Sequence, residues 1–250
     1  MRTETGPKTV RLADYEAPAY WVDTVHLRVQ IEDASTWVEA QLLMRPNNNV
    51  PAQPIRLQGA DLDVEQIRID GELITARNWD NETLILPAVQ RDSFVVETRV
   101  KIDPINSTSL EGLYRSGGMY CTQCEAEGFR KITLYPDRPD VLSVFTTRIE
   151  APKRYTELLS NGNLVASGEL DNERHFAEWH DPFPKPSYLF ALVAGDLVYA
   201  QDSFETRSGR MVDLRLFVEP HNRHKTDFAL GALKRAMRWE SAARCWGRTF

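Results

Sequence analysis

The sequence predicts a mainly β protein, an antiparallel β-sandwich or barrel followed by a short segment of strands and one helix. Three observations lead there. Apolar and polar residues alternate with period two in several separate runs. Turn signals recur at short spacing between those runs. No amphipathic helical pattern appears in the first ~100 residues, so the pattern is not that of βαβ units.

Residues 1–20 read as an irregular lead-in. Val25, Leu27, Val29 and Ile31 then alternate with His26, Arg28 and Gln30, which predicts a half-buried strand. Val38, Ala40, Leu42 and Met44 repeat the pattern on one face. Residues 45–54 are rich in Asn and Pro and predict a loop. Short strands are expected at 55–57, 64–69, 83–86 and 94–102, the last with Phe94, Val96, Thr98, Val100 and Ile102 on one side. Asp70-Gly71 between Ile69 and Leu73 is a hairpin signal.

Further strands are expected at 141–149, 176–179, 188–193 and 211–218. An Asn161-Gly162 turn, a proline-rich corner at 181–186 and a Ser208-Gly209 hairpin turn separate them. Near Thr226 the period changes. Thr226 or Asp227 can cap a helix, and Phe228, Leu233 and Met237 fit helical spacing, which predicts a helix over 227–239. Residues 241–250 show no clear periodicity.

The 250 residues are 42% hydrophobic and 26% charged, with a net charge of -6. This is enough chain for one large or two modest cores. The acidic balance lacks the clustered Lys and Arg of a nucleic-acid binder. No run of ~18 apolar residues predicts a membrane span. Residues 1–20 are charged and interrupted by Pro7 and Pro18, unlike a signal peptide. Three cysteines do not make a disulfide framework, so a cytoplasmic protein is expected.

Residues 117–130, GGMYCTQCEAEGFR, carry more polar chemistry than a core strand needs. Cys121-x-x-Cys124 could form a redox pair or half of a zinc knuckle. A redox dithiol should open a helix after a strand, and none of the five histidines supplies a matching half-site by spacing. His221-x-x-His224 reads as part of a solvated loop. His175, Glu178 and His180 have the wrong order for a zincin. Gln123 and Glu125 remain. Two apart in an extended segment, they point the same way, and a carboxylate in a partly desolvated pocket receives an ammonium group well. A polar surface loop capped by Arg130 is the other reading of the same residues.

CTQCEAEGFRKITLYPDRPDVLSVFTTRI at 121–149 closely resembles the N-terminal domain of the bacterial aminopeptidase N family, zinc-dependent aminopeptidases of the gluzincin type. The resemblance continues through LLSNGN at 158–163, DPFPKPSYLFALVAGDL at 181–197, TRSGR at 206–210 and KRAMRWE at 234–240. It spans roughly residues 10–240, with 10–110 the less diagnostic part.

The resemblance implies a saddle-like, all-β N-terminal domain over 1–197, followed at 198–250 by the start of a thermolysin-like catalytic domain. It implies that Glu125 binds the free α-ammonium of a peptide and that Gln123 lines the pocket for the first side chain. The implied partners are peptide substrates with a free N-terminus and the rest of the catalytic domain, without nucleic acid or membrane. The intact family uses zinc. Its Gly-Ala-Met-Glu-Asn and His-Glu-x-x-His motifs are absent from this sequence. No residue can therefore be assigned as zinc ligand, general base or oxyanion stabiliser, and this chain alone is expected to bind no zinc and to be inactive. Residues 241–250 do not resemble the family's continuation, which suggests a frameshifted or misannotated end. A stand-alone, non-catalytic β-sandwich module that binds peptides is the alternative. A CxxC metal or redox protein is a third.

Overall fold

The computed structural model describes residues 11–242. Seventeen strands and one α-helix occur among them. The first eight strands are β1 (Tyr20–Ile31), β2 (Thr36–Pro46), β3 (Ile55–Gln58), β4 (Asp63–Ile69), β5 (Glu72–Leu73), β6 (Asn78–Asp80), β7 (Thr83–Leu86) and β8 (Phe94–Ile102). The next five are β9 (Gly112–Ser116), β10 (Met119–Gln123), β11 (Leu142–Pro152), β12 (Glu157–Ser160) and β13 (Asn163–Leu170). They are followed by β14 (Arg174–Pro186), β15 (Leu192–Gly195), β16 (Val198–Glu205), β17 (Met211–Val218) and helix α1 (Thr226–Ala242).

An eight-stranded sheet has the order β13-β14-β11-β1-β2-β8-β4-β5. A four-stranded sheet, β12-β15-β10-β9, and a three-stranded one, β3-β7-β6, accompany it. Pairing is antiparallel except between β1 and β11, which run parallel, Thr24 opposite Val144 through Gln30 opposite Glu150. The mainly β, antiparallel architecture is as expected, and the large sheet adds one parallel pair to it. The parallel pair joins strands more than a hundred residues apart, and period-two patterning carries no information about which strands become neighbours.

Alternation decides the faces. Val25, Val29 and Ile31 on β1, Val38 and Leu42 on β2, and Val96 and Val100 on β8 are fully buried. They belong to one core that runs from Tyr20 to Ala194 and takes in side chains of all three sheets. Polar residues of the same strands form a ladder of charges. Glu150 accepts from Arg28 Nε at 2.9 Å and Arg148 Nε at 2.7 Å, and Glu39 pairs with Arg99 at 3.1 Å. Burial alone would raise the Glu150 carboxyl. Its hydrogen bonds from Arg28, Arg148 and Gln30, with the Arg28 charge, overcome that and hold it at about 2.

Asp70 and Gly71, at φ 50° and 81°, turn β4 into β5, with Ile69 opposite Glu72. Three expectations are revised. The strand expected at 176–179 is the middle of the longer β14, which continues through the proline-rich segment instead of turning a corner there. Pro182 and Pro184 fall where the β11 pairing is irregular, between Asp181 opposite Phe145 and Lys185 opposite Ser143. β13 pairs with β14 only as far as His180, and prolines are tolerated along such an edge or at a bulge. The strand expected over 188–193 is interrupted by a 3-10 turn at Ser187–Leu189 and reduces to β15.

β16 and β17 form a hairpin, Glu205 opposite Met211, in a separate two-stranded sheet. Ala200, Phe204, Leu214 and Leu230 of α1 make a second small core. The helix is where its spacing predicts, but its start differs. A 3-10 helix at Pro220–Lys225 leads directly into it, and Thr226 Oγ1 donates back to Arg223 O at 2.9 Å. Phe228 and Leu233, expected on the packed face, are 79% and 41% exposed, and Leu230 is buried instead. Of the tail with no periodicity, residues 241–242 extend α1 and residues 243–250 lie outside the described residues.

Candidate functional site

Residues 117–130 are half strand and half turn. Gly117 and Gly118, at φ 58° and 93°, form the hairpin tip between β9 and β10, with Ser116 opposite Met119. β10 then pairs with β15 on its other side, Tyr120 opposite Ala194, and Thr122 Oγ1 accepts from Leu192 N at 2.9 Å. The strand ends at Gln123, and the chain turns, with Gly128 N donating to Cys124 O at 2.8 Å.

This turn is tightly packed at its base. A Cβ on Gly128 would lie 2.4 Å from Gln123 O and 2.9 Å from Cys124 Cα, so only glycine fits against the incoming strand. Phe129 follows at zero exposure. Its ring meets those of Tyr135 at 5.0 Å, Phe190 at 5.2 Å and Phe145 at 5.8 Å, all in edge-to-face geometry.

Arg130 adds a polar anchor. Its backbone N and its Nε both donate to Asp137 Oδ2, at 3.1 and 3.2 Å, and its carbonyl accepts from Ala60 N at 3.0 Å. Its Nη2 also pairs with Glu127 at 3.2 Å. The Asp137 carboxylate is buried and takes a third bond, from Ser187 Oγ, at 2.6 Å.

Gln123 and Glu125 stand at the exposed end of this anchored segment. They are adjacent but not equivalent. Gln123 Nε2 donates to the Glu125 carbonyl oxygen at 3.2 Å, so the amide braces the turn. The peptide bond between Glu125 and Ala126 is cis. Glu125, Ala126 and Glu127 are all exposed, which gives the tip an acidic face.

The cysteines of this stretch have separate environments. Both are free thiols. Cys121 is half-buried on β10, and Cys124 is buried in the core, where burial together with the nearby Asp137 charge pushes its thiol up to about 12. Such a group stays protonated and is poorly suited to be a metal ligand or nucleophile.

The histidines do not converge either. His175 Nε2 lies 2.8 Å from Tyr155 O, and His180 Nδ1 lies 3.0 Å from Thr146 Oγ1. His221 and His224 lie in the 3-10 helix before α1. Among the described residues no group of three or more His, Cys, Asp or Glu side chains could hold a metal ion. The donor set does not fit a zinc centre, which takes four-coordinate N, O or S ligation. No helix among the described residues is long and apolar enough to cross a membrane.

Sequence reasoning missed Asp137 and Ser187. Asp137 lies in the run Tyr-Pro-Asp-Arg-Pro-Asp, which reads as a solvated turn, and only its burial beside Arg130 gives it weight.

The sheets and this anchored loop define an N-terminal β domain of a peptidase: residues 15–189 match the Peptidase M1 N-terminal domain. The chain belongs to the M1 peptidase family. It is 50% identical over 252 residues to aminopeptidase N of Caulobacter vibrioides, covering 100% of this chain and 29% of that protein. It is 46% identical over 228 residues to aminopeptidase N of Escherichia coli, covering 91% of this chain and 26% of that protein. Aminopeptidase A of Legionella pneumophila, solved in complex with aspartic acid, superposes with a TM-score of 0.87 at 33% identity, over 92% of this chain and 28% of that one. An M1 zinc metallopeptidase from Deinococcus radiodurans shares the fold, with a TM-score of 0.68 at 16% identity, over 81% of this chain and 48% of that one. The chain thus spans less than a third of the length of the two aminopeptidase N relatives.

Proposed function

We propose that this chain carries the substrate-recognition part of a zinc-dependent aminopeptidase, which releases N-terminal amino acids from peptides. Residues 1–197 form its N-terminal domain and residues 198–250 open its catalytic domain. Glu125 binds the α-ammonium of a peptide with a free N-terminus, and Gln123 lines the pocket for the first side chain. The observation that carries this reading is the exposed acidic tip held on a base locked by Gly128, Phe129 and Arg130.

The chemistry is that of an ion pair with selective access. An N-terminal ammonium presents a cation and its donors to the carboxylate, and an internal residue has none to present. Glu125 is exposed, so alone it is a hydrated anion with a weak hold on any cation. A second surface that excludes water would strengthen the pair. That surface, the zinc and the hydrolytic groups belong to the rest of the enzyme in this reading, and no hydrolytic step runs through the described residues. The aspartic acid bound to the Legionella relative has an α-ammonium of the kind Glu125 would receive.

The test is a hybrid in which residues 1–197 of this chain replace the corresponding part of the Caulobacter vibrioides aminopeptidase N. A hydrogen bond to a charged group is worth about 1.5–3 kcal/mol, so Glu125→Gln should lower kcat/KM for an aminoacyl substrate about 10- to 100-fold. An unchanged kcat/KM would refute the role given to Glu125. The 250-residue chain alone should show no hydrolysis, and chelator-sensitive turnover by it would overturn the division of labour.

A further inference from the structure

Beneath the exposed tip lies a buried ion pair that the recognition chemistry leaves unexplained. The Asp137 carboxylate accepts from Arg130 N at 3.1 Å, Arg130 Nε at 3.2 Å and Ser187 Oγ at 2.6 Å. Its own backbone N donates to Gln58 Oε1 at 3.0 Å. One residue therefore ties together the turn after β10, the connection between β14 and β15, and the end of β3. Gln58 completes the tie, exchanging backbone bonds with Tyr135 at 2.8 and 3.1 Å.

A buried ion pair is a poor way to gain stability, because apolar packing of the same volume often does as well. It differs from apolar packing in direction. Three donors converging on one carboxylate fix the turn's position and orientation, because hydrogen bonds are directional and dispersion contacts are not. The second consequence is electrostatic. Arg130 Nη2 lies 3.2 Å from Glu127 Oε1, next to the acidic tip. Without a counter-ion beneath it, that guanidinium would offset the negative charge an incoming ammonium needs.

We propose that Asp137 is a positioning residue: acting through Arg130, it orients the segment bearing Gln123 and Glu125 and keeps that segment's acidic face free for an ammonium group. The proposal rests on the recognition role given above to Glu125. Ser187 has a supporting part, because its hydroxyl holds the other carboxylate oxygen.

Two measurements test it, and the first needs no ligand. Amide hydrogen exchange is followed in the full 250-residue chain. Asp137→Asn keeps the shape and removes the charge. It should speed exchange at Gly128 and Lys131, whose amides close the turn, at least tenfold, and leave the core amides of β1, β2 and β8 unchanged. No change at Gly128 and Lys131 overturns the proposal, and so does an equal rise throughout β1, β2 and β8, the mark of a merely structural role. If Asp137→Asn does not fold, Arg130→Lys retains the charge but loses the planar fork, and the same local pattern is required of it.

The second measurement is a KM-against-kcat split in the hybrid enzyme. Asp137→Asn should raise KM for an aminoacyl substrate about tenfold with kcat within about threefold. Glu125→Gln sensitive and Asp137→Asn insensitive would refute the positioning role alone. Faster local exchange with Glu125→Gln insensitive would refute the recognition role alone.

Discussion

The region from β1 to β15 and the region from β16 to α1 use the same alternating pattern and bury it to very different extents. In the first, three sheets pack side chains from Tyr20 to Ala194 into one core. In the second, among the described residues, one hairpin and one helix form a core of four buried apolar side chains, Ala200, Phe204, Leu214 and Leu230. Phe228 and Trp239, 79% and 72% exposed, lie outside that small core. A two-stranded hairpin is marginal in water, and a single helix covers only one of its faces. Local stability should therefore fall sharply at about residue 198, because it follows the apolar area each element removes from water.

The largest expected effect pits the two cores against each other. Phe129→Ala removes a ring that touches three others and should cost about 3–5 kcal/mol, lowering the main thermal transition. Leu230→Ala should cost about 2–5 kcal/mol within its own small core and leave the main transition in place. Calorimetry of both variants checks this. A single transition moved equally by both would show one cooperative unit and dissolve the contrast.

Glu150→Gln should have the next largest effect, about 1.5–3 kcal/mol near neutral pH, read from urea unfolding. The sign follows from its lowered pKa. A carboxyl held at about 2 when folded and ordinarily near 4.5 when unfolded contributes stability above about 4.5 that is lost as the pH falls towards 2. The acid dependence over that window should be shallower in Glu150→Gln than in the parent chain. An identical pH profile would assign the acid sensitivity to other carboxylates.

The smallest effects should come from Phe228→Ala and Trp239→Ala, each within about 0.5 kcal/mol, because both side chains face solvent. A larger loss by urea unfolding would mean that these rings are covered in solution, which would sharpen the contrast into one about missing contacts.

Much of this was legible in the sequence where a strand is long and half-buried. Val25 to Ile31, Val38 to Met44 and Phe94 to Ile102 announced their buried faces, because period two is the geometry of the strand itself. The turns at Asp70-Gly71 and Ser208-Gly209 were equally plain, since Gly71 and Gly209 adopt φ of 81° and 82°. The helix was legible in position but not in face. Phe228 is exposed because it lies about 200° round the helix from the buried Leu230, on the side turned away from the small core.

The candidate site divides in the same way. Gln123 and Glu125 are legible as polar residues in a stretch that does not alternate and that resembles a family motif. Their neighbours Gly128 and Phe129 gave no comparable signal. Nor did Asp137, fifty residues before its partner Ser187.

By itself, then, the sequence determined which residues lie on strands, which faces of the long strands are apolar, and where tight turns occur. These properties depend on neighbours a few residues away, and backbone geometry makes them periodic. The tertiary structure alone decided that β1 runs parallel to β11, that the prolines of β14 follow its last pair with β13, where its pairing with β11 turns irregular, and that a buried carboxylate anchors the loop carrying Glu125. Each of these joins segments far apart in the chain. Such contacts depend on which surfaces fit together once water is excluded, and local periodicity does not encode that.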